Sequence, residues 1–478
     1  MSALDVVVVG AGPNGLTAAA TLARQGLTVV VLEAASELGG GLRTQPLTLE
    51  GYRHDVCSAV HTLGCVSPAF EWLELTRHGL SWVHPPASAA HPLDQRPAIL
   101  LEPSIDETAR QLGPDAGAYA RLIAPFLLAR RHLFDDALAP LGLPRQPFTM
   151  ARFGWLGLRS AQSLARSHFS GDAARALLAG CAAHSTQPLD HRVTAAFALI
   201  FLTTGHVKTW PVARTGSAAI ASALEAVCRA HGVRFETQRS VRSLADLPEA
   251  RVVLFDLAPR QLADIAGDAL PHAYRDALRR YRMGPGTFKL DWALSEPIPW
   301  RDPRCSRAST VHLGGTIDEI AAAERAAWDG KQHERPFVLL TQQSLFDDSR
   351  APAAKHTGYA YCHVPAGSDV DVTERIEAQI ERFAPGFRDC ILARHRLGPA
   401  ELEAHNPSYI GGAVTGGAAT LDQLFTRPLP RLDPYSTPNP KLFLCSHSTP
   451  PGAGVHGMCG FHAARSVLRK RFGRELSI

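Results

Sequence analysis

A chain of 478 residues is too long for one compact core, so two domains, or one domain threaded through another, are expected. Apolar residues make up 45% of it, charged residues 20%, and the mean hydropathy lies near zero, which excludes a disordered chain and fits a globular enzyme. The formal net charge of +4 comes without a long Lys/Arg block, so nucleic acid is not an expected partner. Nine scattered cysteines, never spaced C-x-x-C, predict reduced thiols in a cytoplasmic protein, with no redox disulfide and no structural zinc or other metal.

The chain begins with a strand, turn, helix and strand. Val6 to Val9 form an apolar run suited to a parallel sheet buried on both faces. Gly10 permits a tight turn, Gly12 lets backbone approach a pyrophosphate, and Gly15 lets the next helix lie close on the strand. Gly26 ends that helix, and "LTVVVLE" is a second buried strand closing on Glu33, where a carboxylate takes ribose hydroxyls and repels a 2′-phosphate. This predicts a dinucleotide other than NADP. The glycines that follow, Gly39, Gly40 and Gly41, and then Arg43, favour FAD over NAD, because the longer cofactor needs more backbone donors and a cation. Here the sequence resembles the flavoproteins of glutathione-reductase type two, whose signature is an acid, five residues, a Gly-Gly pair and nearby arginines. Gly41 stands where that superfamily often has Arg, which leaves phosphate neutralisation to Arg43.

The stretch from 62 to 207 reads as helical, with a capping box at Ser104 and Glu107. Within it "VTAAFALIFLTT" is too short to span a bilayer and reads as a buried helix rather than a membrane-dipping or channel-lining segment. A crossover through Gly216 and Ser217 leads to three short strands, "VRFET", "SVRSL" and "RVVLFDL". The resemblance implies that Val241 pairs with adenine through its main chain. Four strands follow, "TFKLDWAL", "STVHLGG", "PFVLLTQQSLF" and "TGYAYCHVP", whose alternation suggests a sheet with one face on a core and the other on a ligand.

Near the C-terminus, Gly452, Gly454 and Gly457 repeat G-x-G-x-x-G between a strand, "PKLFLCS", and a basic helix. Too little chain follows for a second nucleotide unit, so this loop is expected to complete the first site, its helix N-terminus facing the negative charge of a reduced flavin. With "NPSYIGG" and the P-G-x-G-x-x-G before Ala463 and Ala464, the stretch resembles the phytoene dehydrogenase-related flavoproteins. Ser446, His447 and Ala453 depart from the small residues common there.

The resemblance implies a Rossmann-type FAD-binding domain (1–61, 208–261 and 435–478) interleaved with an α+β substrate domain (62–207 and 262–434). It implies non-covalent FAD held by Gly10, Gly12, Pro13, Asn14, Gly15, Glu33, Ala34, Gly40, Gly41, Leu42, Arg43, Val241, Gly454, Val455, Gly457 and Met458. Three polar residues could face the flavin: Lys289, by likeness to amine oxidases in which a strand lysine holds a water near N5, His456, and His363, which reads better as a core histidine. The expected activity is oxidation of an apolar, polyene or isoprenoid-like substrate, with oxygen or a quinone as external acceptor and peripheral membrane contact allowed. Alternatives are double-bond isomerisation or saturation, amine oxidation, and non-catalytic lipid or isoprenoid carriage. Carriers of this fold abandon the cofactor glycines kept here, and amine oxidases have an aromatic residue where this chain has Val455 and His456. Oligomeric state is open.

Overall fold

A computed structural model describes residues 4–476. Its first sheet is wholly parallel, with strands in the order Leu442–Leu444, Ala250–Phe255, Leu4–Val9, Val29–Leu32 and Arg234–Glu236. Period-two alternation explains why the first two strands are apolar throughout. Val6, Val8, Val29 and Val31 point into a core shared with helices Pro13–Arg24, Ala218–Ala230 and Met458–Val467. Val7, Val9, Val30 and Leu32 point into a second core closed by Pro259–Ala266. This is the mixed α/β, Rossmann-type architecture expected, built from both ends and the middle of the chain.

The second sheet has seven strands in the order Ile391–Leu397, Gly286–Leu294, His356–Val364, Val338–Thr341, Ala308–Leu313, Ala87–Leu93 and Arg96–Leu101. All neighbours are antiparallel except Ala308–Leu313 against Ala87–Leu93. Phe288, Leu290 and Trp292 fill a core on one face, while Thr287, Lys289, Tyr359 and Tyr361 look into the cavity described below. On the cavity side stand helices Asp172–Ala183 and Thr194–Val207.

Two expectations are corrected. The stretch 62–207 is not purely helical: a hairpin spans 87–101, and its alanine-rich first strand, weak in β-propensity, is held by pairing on both sides. "SVRSL" is not a strand, because the N–H groups of Arg242 and Ser243 donate to Asp246 and close a capped turn instead. The helix at Thr194–Val207 is buried as expected, yet one face also lines the cavity. Ser104 caps its helix by accepting from the N–H of Glu107.

A buried ion-pair network anchors the crossover that leads into helix Ala218–Ala230. Arg350, fully buried, donates to Asp55 (2.9 Å) and Asp347 (2.8 Å). Asp55 also accepts from the N–H of Ser217 (2.7 Å) and Asp347 from that of Thr215 (2.8 Å), so the crossover is clamped by both carboxylates. Beside it Gly216 has φ +114° with the Thr44 side chain against its Cα, a place closed to any larger residue.

Candidate functional site

Both glycine-rich loops leave the C-terminal ends of parallel strands and open on one cavity of about 930 Å³. Gly10, with φ +97°, makes the first turn. At Gly12 a Cβ would lie 2.6 Å from Oδ2 of Asp256, so only glycine lets this backbone form the cavity wall. Glu33 is nearly buried and holds the loop from below: the N–H of Ala11 donates to Oε2 (2.8 Å) and that of Ala35 to Oε1 (2.9 Å). Arg43 lies 3.7 Å from Glu33 and donates to the carbonyl of Glu37 (2.8 Å), leaving Nε without a partner.

Asp256 follows the strand at 250–255 and was not singled out by the sequence, although it stands inside "RVVLFDL". Its Oδ2 accepts from the N–H of Gly15 (2.8 Å), tying the glycine loop to the neighbouring strand Ala250–Phe255. Burial pushes its carboxyl up to about 7, opposed by the Gly15 N–H and reinforced by the nearby Glu33. Two further groups had no motif to announce them. Tyr409 places its hydroxyl against the Cα of Gly41, which explains glycine at that position, since no side chain fits beneath the ring. Arg427, almost fully buried, lines the cavity with Nε unpartnered and no carboxylate in ion-pair range among the described residues.

The C-terminal loop supplies the opposite wall through Ser446, His447, Ala453, Gly454, Val455 and His456. Burial pushes His456 down to about 4. Its Nδ1 accepts from the N–H of Met458 (3.0 Å) and its Nε2 faces the carbonyl of Ala453 (3.3 Å), so both ring nitrogens are engaged inside the loop. Helix Met458–Val467 then crosses helix Pro13–Arg24 at Gly460, whose Cα rests on the Asn14 carbonyl. Gly15, Gly457 and Met458, expected to touch the cofactor, stand behind the cavity wall and set this helix and loop packing.

Pro13, Asn14, Ala34, Gly40, Leu42 and Val241 line the cavity with the residues above. The backbone N–H and C=O of Val241 take no partner among the described residues. Asn14 Oδ1, Arg43 Nε, Arg427 Nε and His447 Nε2 are buried polar atoms without partners. A glycine cradle, an acid at the end of the second strand, buried cations and unpartnered polar atoms form a set that fits a dinucleotide.

Lys289 also lines the cavity. Its Nζ pairs with Asp291 and lies 4.7 Å from the centre of the Tyr359 ring. Burial alone would raise Asp291, but Lys289, His395 and His54 around it hold its carboxyl below the usual range. His363 is outside the cavity wall and bonds Glu324 through Nδ1 (2.8 Å), as a satisfied core histidine does.

Beyond the glycine loops the cavity widens into a lobe walled by Phe197, Ile200, Phe201, Trp210, Leu339 and Tyr361, with His184 stacked on Phe201 at 4.3 Å. The carboxylates on the cavity wall, Glu33, Asp136 and Asp256, all accept backbone N–H groups, from Ala11 and Ala35, Arg145, and Gly15 respectively.

The NAD(P)-binding Rossmann-like domain family matches residues 8–73, the segment that carries the first glycine loop, Glu33 and Arg43. The rat pyridine nucleotide-disulfide oxidoreductase domain-containing protein 2 is 25% identical across 97% of this chain and 93% of its own length. One component of the limonene dehydrogenase of Castellaniella defragrans is 29% identical over 28% of this chain and 24% of its own. Among solved structures, an oxidoreductase from Methanosarcina mazei covers 98% of this chain and 100% of its own, with a TM-score of 0.66 at 18% identity. A putrescine oxidase bound to putrescine covers 98% of this chain and 99% of its own, with a TM-score of 0.64 at 17% identity. The chain is therefore homologous to pyridine nucleotide-disulfide oxidoreductase domain-containing protein 2 along 97% of its residues, carries a Rossmann-like dinucleotide-binding segment at residues 8–73, and has an amine-oxidase-like fold.

Proposed function

We propose that the chain is an FAD-dependent oxidoreductase that removes hydride from a C–H bond of an apolar, polyene or isoprenoid-like substrate. The observation that carries this reading is the shared cavity, in which the two glycine loops run into a lobe of aromatic and aliphatic side chains. Bound FAD supplies the hydride acceptor. In this reading Glu33 takes the ribose hydroxyls, Arg43 and the N-terminus of helix Pro13–Arg24 face the pyrophosphate, Val241 pairs with adenine, and Gly454 and Val455 lie against the isoalloxazine.

The side chains of the lobe exclude water and orient the substrate. Lys289, paired with Asp291 and 4.7 Å from the centre of the Tyr359 ring, is the cavity-wall group that would hydrogen-bond a water or a polar atom at the reacting end. His456, neutral and engaged through both nitrogens, braces the loop. An amine substrate fits less well, because Phe197, Ile200, Phe201, Trp210, Leu339 and Tyr361 of the lobe offer no carboxylate to an ammonium group. Limonene, named in one relative, is itself an apolar isoprenoid, which supports that substrate class. Reoxidation falls to an external acceptor, oxygen or a quinone.

The experiment is anaerobic mixing of the flavin-loaded protein with polyenes, isoprenoids, amines and NADPH in a stopped-flow instrument. Bleaching of the flavin band by an apolar olefin, and not by NADPH, is expected. Rapid bleaching by NADPH would overturn the external-acceptor half, and bleaching by amines alone would overturn the substrate class.

A further inference from the structure

Between residues 121 and 159 the chain departs from the rule that large apolar side chains are covered. Leu128, Leu141, Leu143, Phe148 and Trp155 are 84%, 74%, 100%, 92% and 78% exposed. Phe148 and Trp155 lie two turns apart on one face of helix Pro147–Gly157, while Met150, Phe153 and Gly154 of the same helix line the cavity. Leu141 and Leu158 belong to both surfaces, being exposed and part of the cavity wall. The apolar patch is therefore continuous with the cavity mouth.

Charge is concentrated in the same place. The segment carries six arginines, Arg121, Arg130, Arg131, Arg145, Arg152 and Arg159, against two aspartates, Asp135 and Asp136. That excess equals the formal net charge of +4 of the whole chain, so the rest of the protein is balanced. Arg121, Arg130, Arg131 and Arg152 are exposed and have no carboxylate in ion-pair range among the described residues. No helix among the described residues is long and apolar enough to cross a membrane. Protruding leucines, a phenylalanine and a tryptophan, rimmed by unpaired arginines, match the water interface of an anionic bilayer, where tryptophan sits at headgroup depth and arginine meets phosphate.

We infer that this surface docks the protein on a membrane containing anionic lipid, with the cavity mouth at the bilayer so that an apolar substrate enters from the lipid without crossing water. The second half rests on the apolar-substrate reading above; the docking stands on the surface alone and is tested without substrate.

The test is co-sedimentation of the flavin-loaded protein with vesicles of phosphatidylcholine alone and with phosphatidylglycerol at one part in three. Binding to the anionic vesicles, weakened by salt, is expected. The double variant Phe148→Asp/Trp155→Asp and the double variant Arg130→Glu/Arg131→Glu should each lower partitioning about tenfold or more. All four positions are exposed, so both variants should keep their flavin, and an unchanged flavin spectrum separates lost docking from lost folding. Wild-type protein that stays in the supernatant with both vesicles overturns the inference. So does a concentration-dependent dimer, seen by sedimentation velocity, that the Phe148/Trp155 variant dissolves, because the patch would then be a contact between two copies of the chain. A failed substrate screen with intact vesicle binding would count against the apolar-substrate reading and leave the docking standing.

Discussion

Replacing Gly460 by alanine tests how the two ends of the chain are joined. A Cβ at this position would lie 2.7 Å from the carbonyl carbon of Asn14 and 3.0 Å from the nitrogen of Ala18, with the Asn14 oxygen closer still. Those atoms are the two ends of one helical hydrogen bond, so they cannot rotate away as a side chain would. Comfortable carbon contacts need ~3.5–4.0 Å, and helix Met458–Val467 must therefore retreat by about 1 Å. Overpacking of this kind costs about 1–3 kcal/mol. The retreat also moves the cavity wall, because Asn14 lines it directly and the helix starts at the end of the C-terminal loop. Gly460→Ala should lower the free energy of urea unfolding of the apoprotein by about 2 kcal/mol and weaken FAD retention measured by ultrafiltration. A change within about 0.5 kcal/mol, with retention intact, would refute the close helix crossing.

Three further outcomes follow from buried charge. In the apoprotein Asp256 is raised from 3.8 to about 7, so the folded chain keeps a proton that the unfolded chain has released. Its contribution to stability is complete below about pH 3.8 and is lost as pH rises through about 7; Asp256→Asn, which keeps an oxygen for the Gly15 N–H, should flatten that part of a urea-midpoint profile. Lys289→Met takes the lysine cation from buried Asp291 and leaves it only His54 and His395 among the described residues, which should cost about 3–5 kcal/mol, whereas Lys289→Met/Asp291→Asn should recover most of it yet remain slow in flavin reduction by substrate. Full activity of the stable double variant would show that Lys289 is structural. Arg350→Met strands Asp55 and Asp347 at the crossover and should also cost about 3–5 kcal/mol, read by denaturation, with no specific effect on the reduction rate of the folded fraction.

The parts of this fold written in short-range patterns were readable in the sequence. Val6 to Val9, Gly10, Gly12, Gly15 and Glu33 state a strand, a turn, a helix approach and an acid in one continuous run, and the structure builds a strand, turn and helix over it, with Glu33 holding the loop. The alternation around Lys289 and Tyr361 gave a sheet with one cavity-facing side for the same reason. What escaped depends on partners far along the chain. Asp256 meets Gly15 across 241 positions, Tyr409 explains Gly41, and Gly460 explains its own smallness only when Asn14 is laid against it. Arg427 sits in no motif at all. The alanine-rich strand at 87–93 is weak in propensity and exists because neighbours on both sides pair with it. "SVRSL" misled in the opposite direction, since Asp246, three residues after Ser243, made a capped turn more favourable than a strand.

In the proposed reading the two glycine loops, from opposite ends of the chain, hold one flavin between them. Its most direct test is the absorption spectrum of the purified protein, followed by heat release and quantification of flavin against chain. One FAD per chain, released without covalent residue and lost together on Glu33→Arg or on Gly454→Val, is the predicted result. Two dinucleotides per chain, or a colourless protein that does not take up FAD on reconstitution, would contradict it.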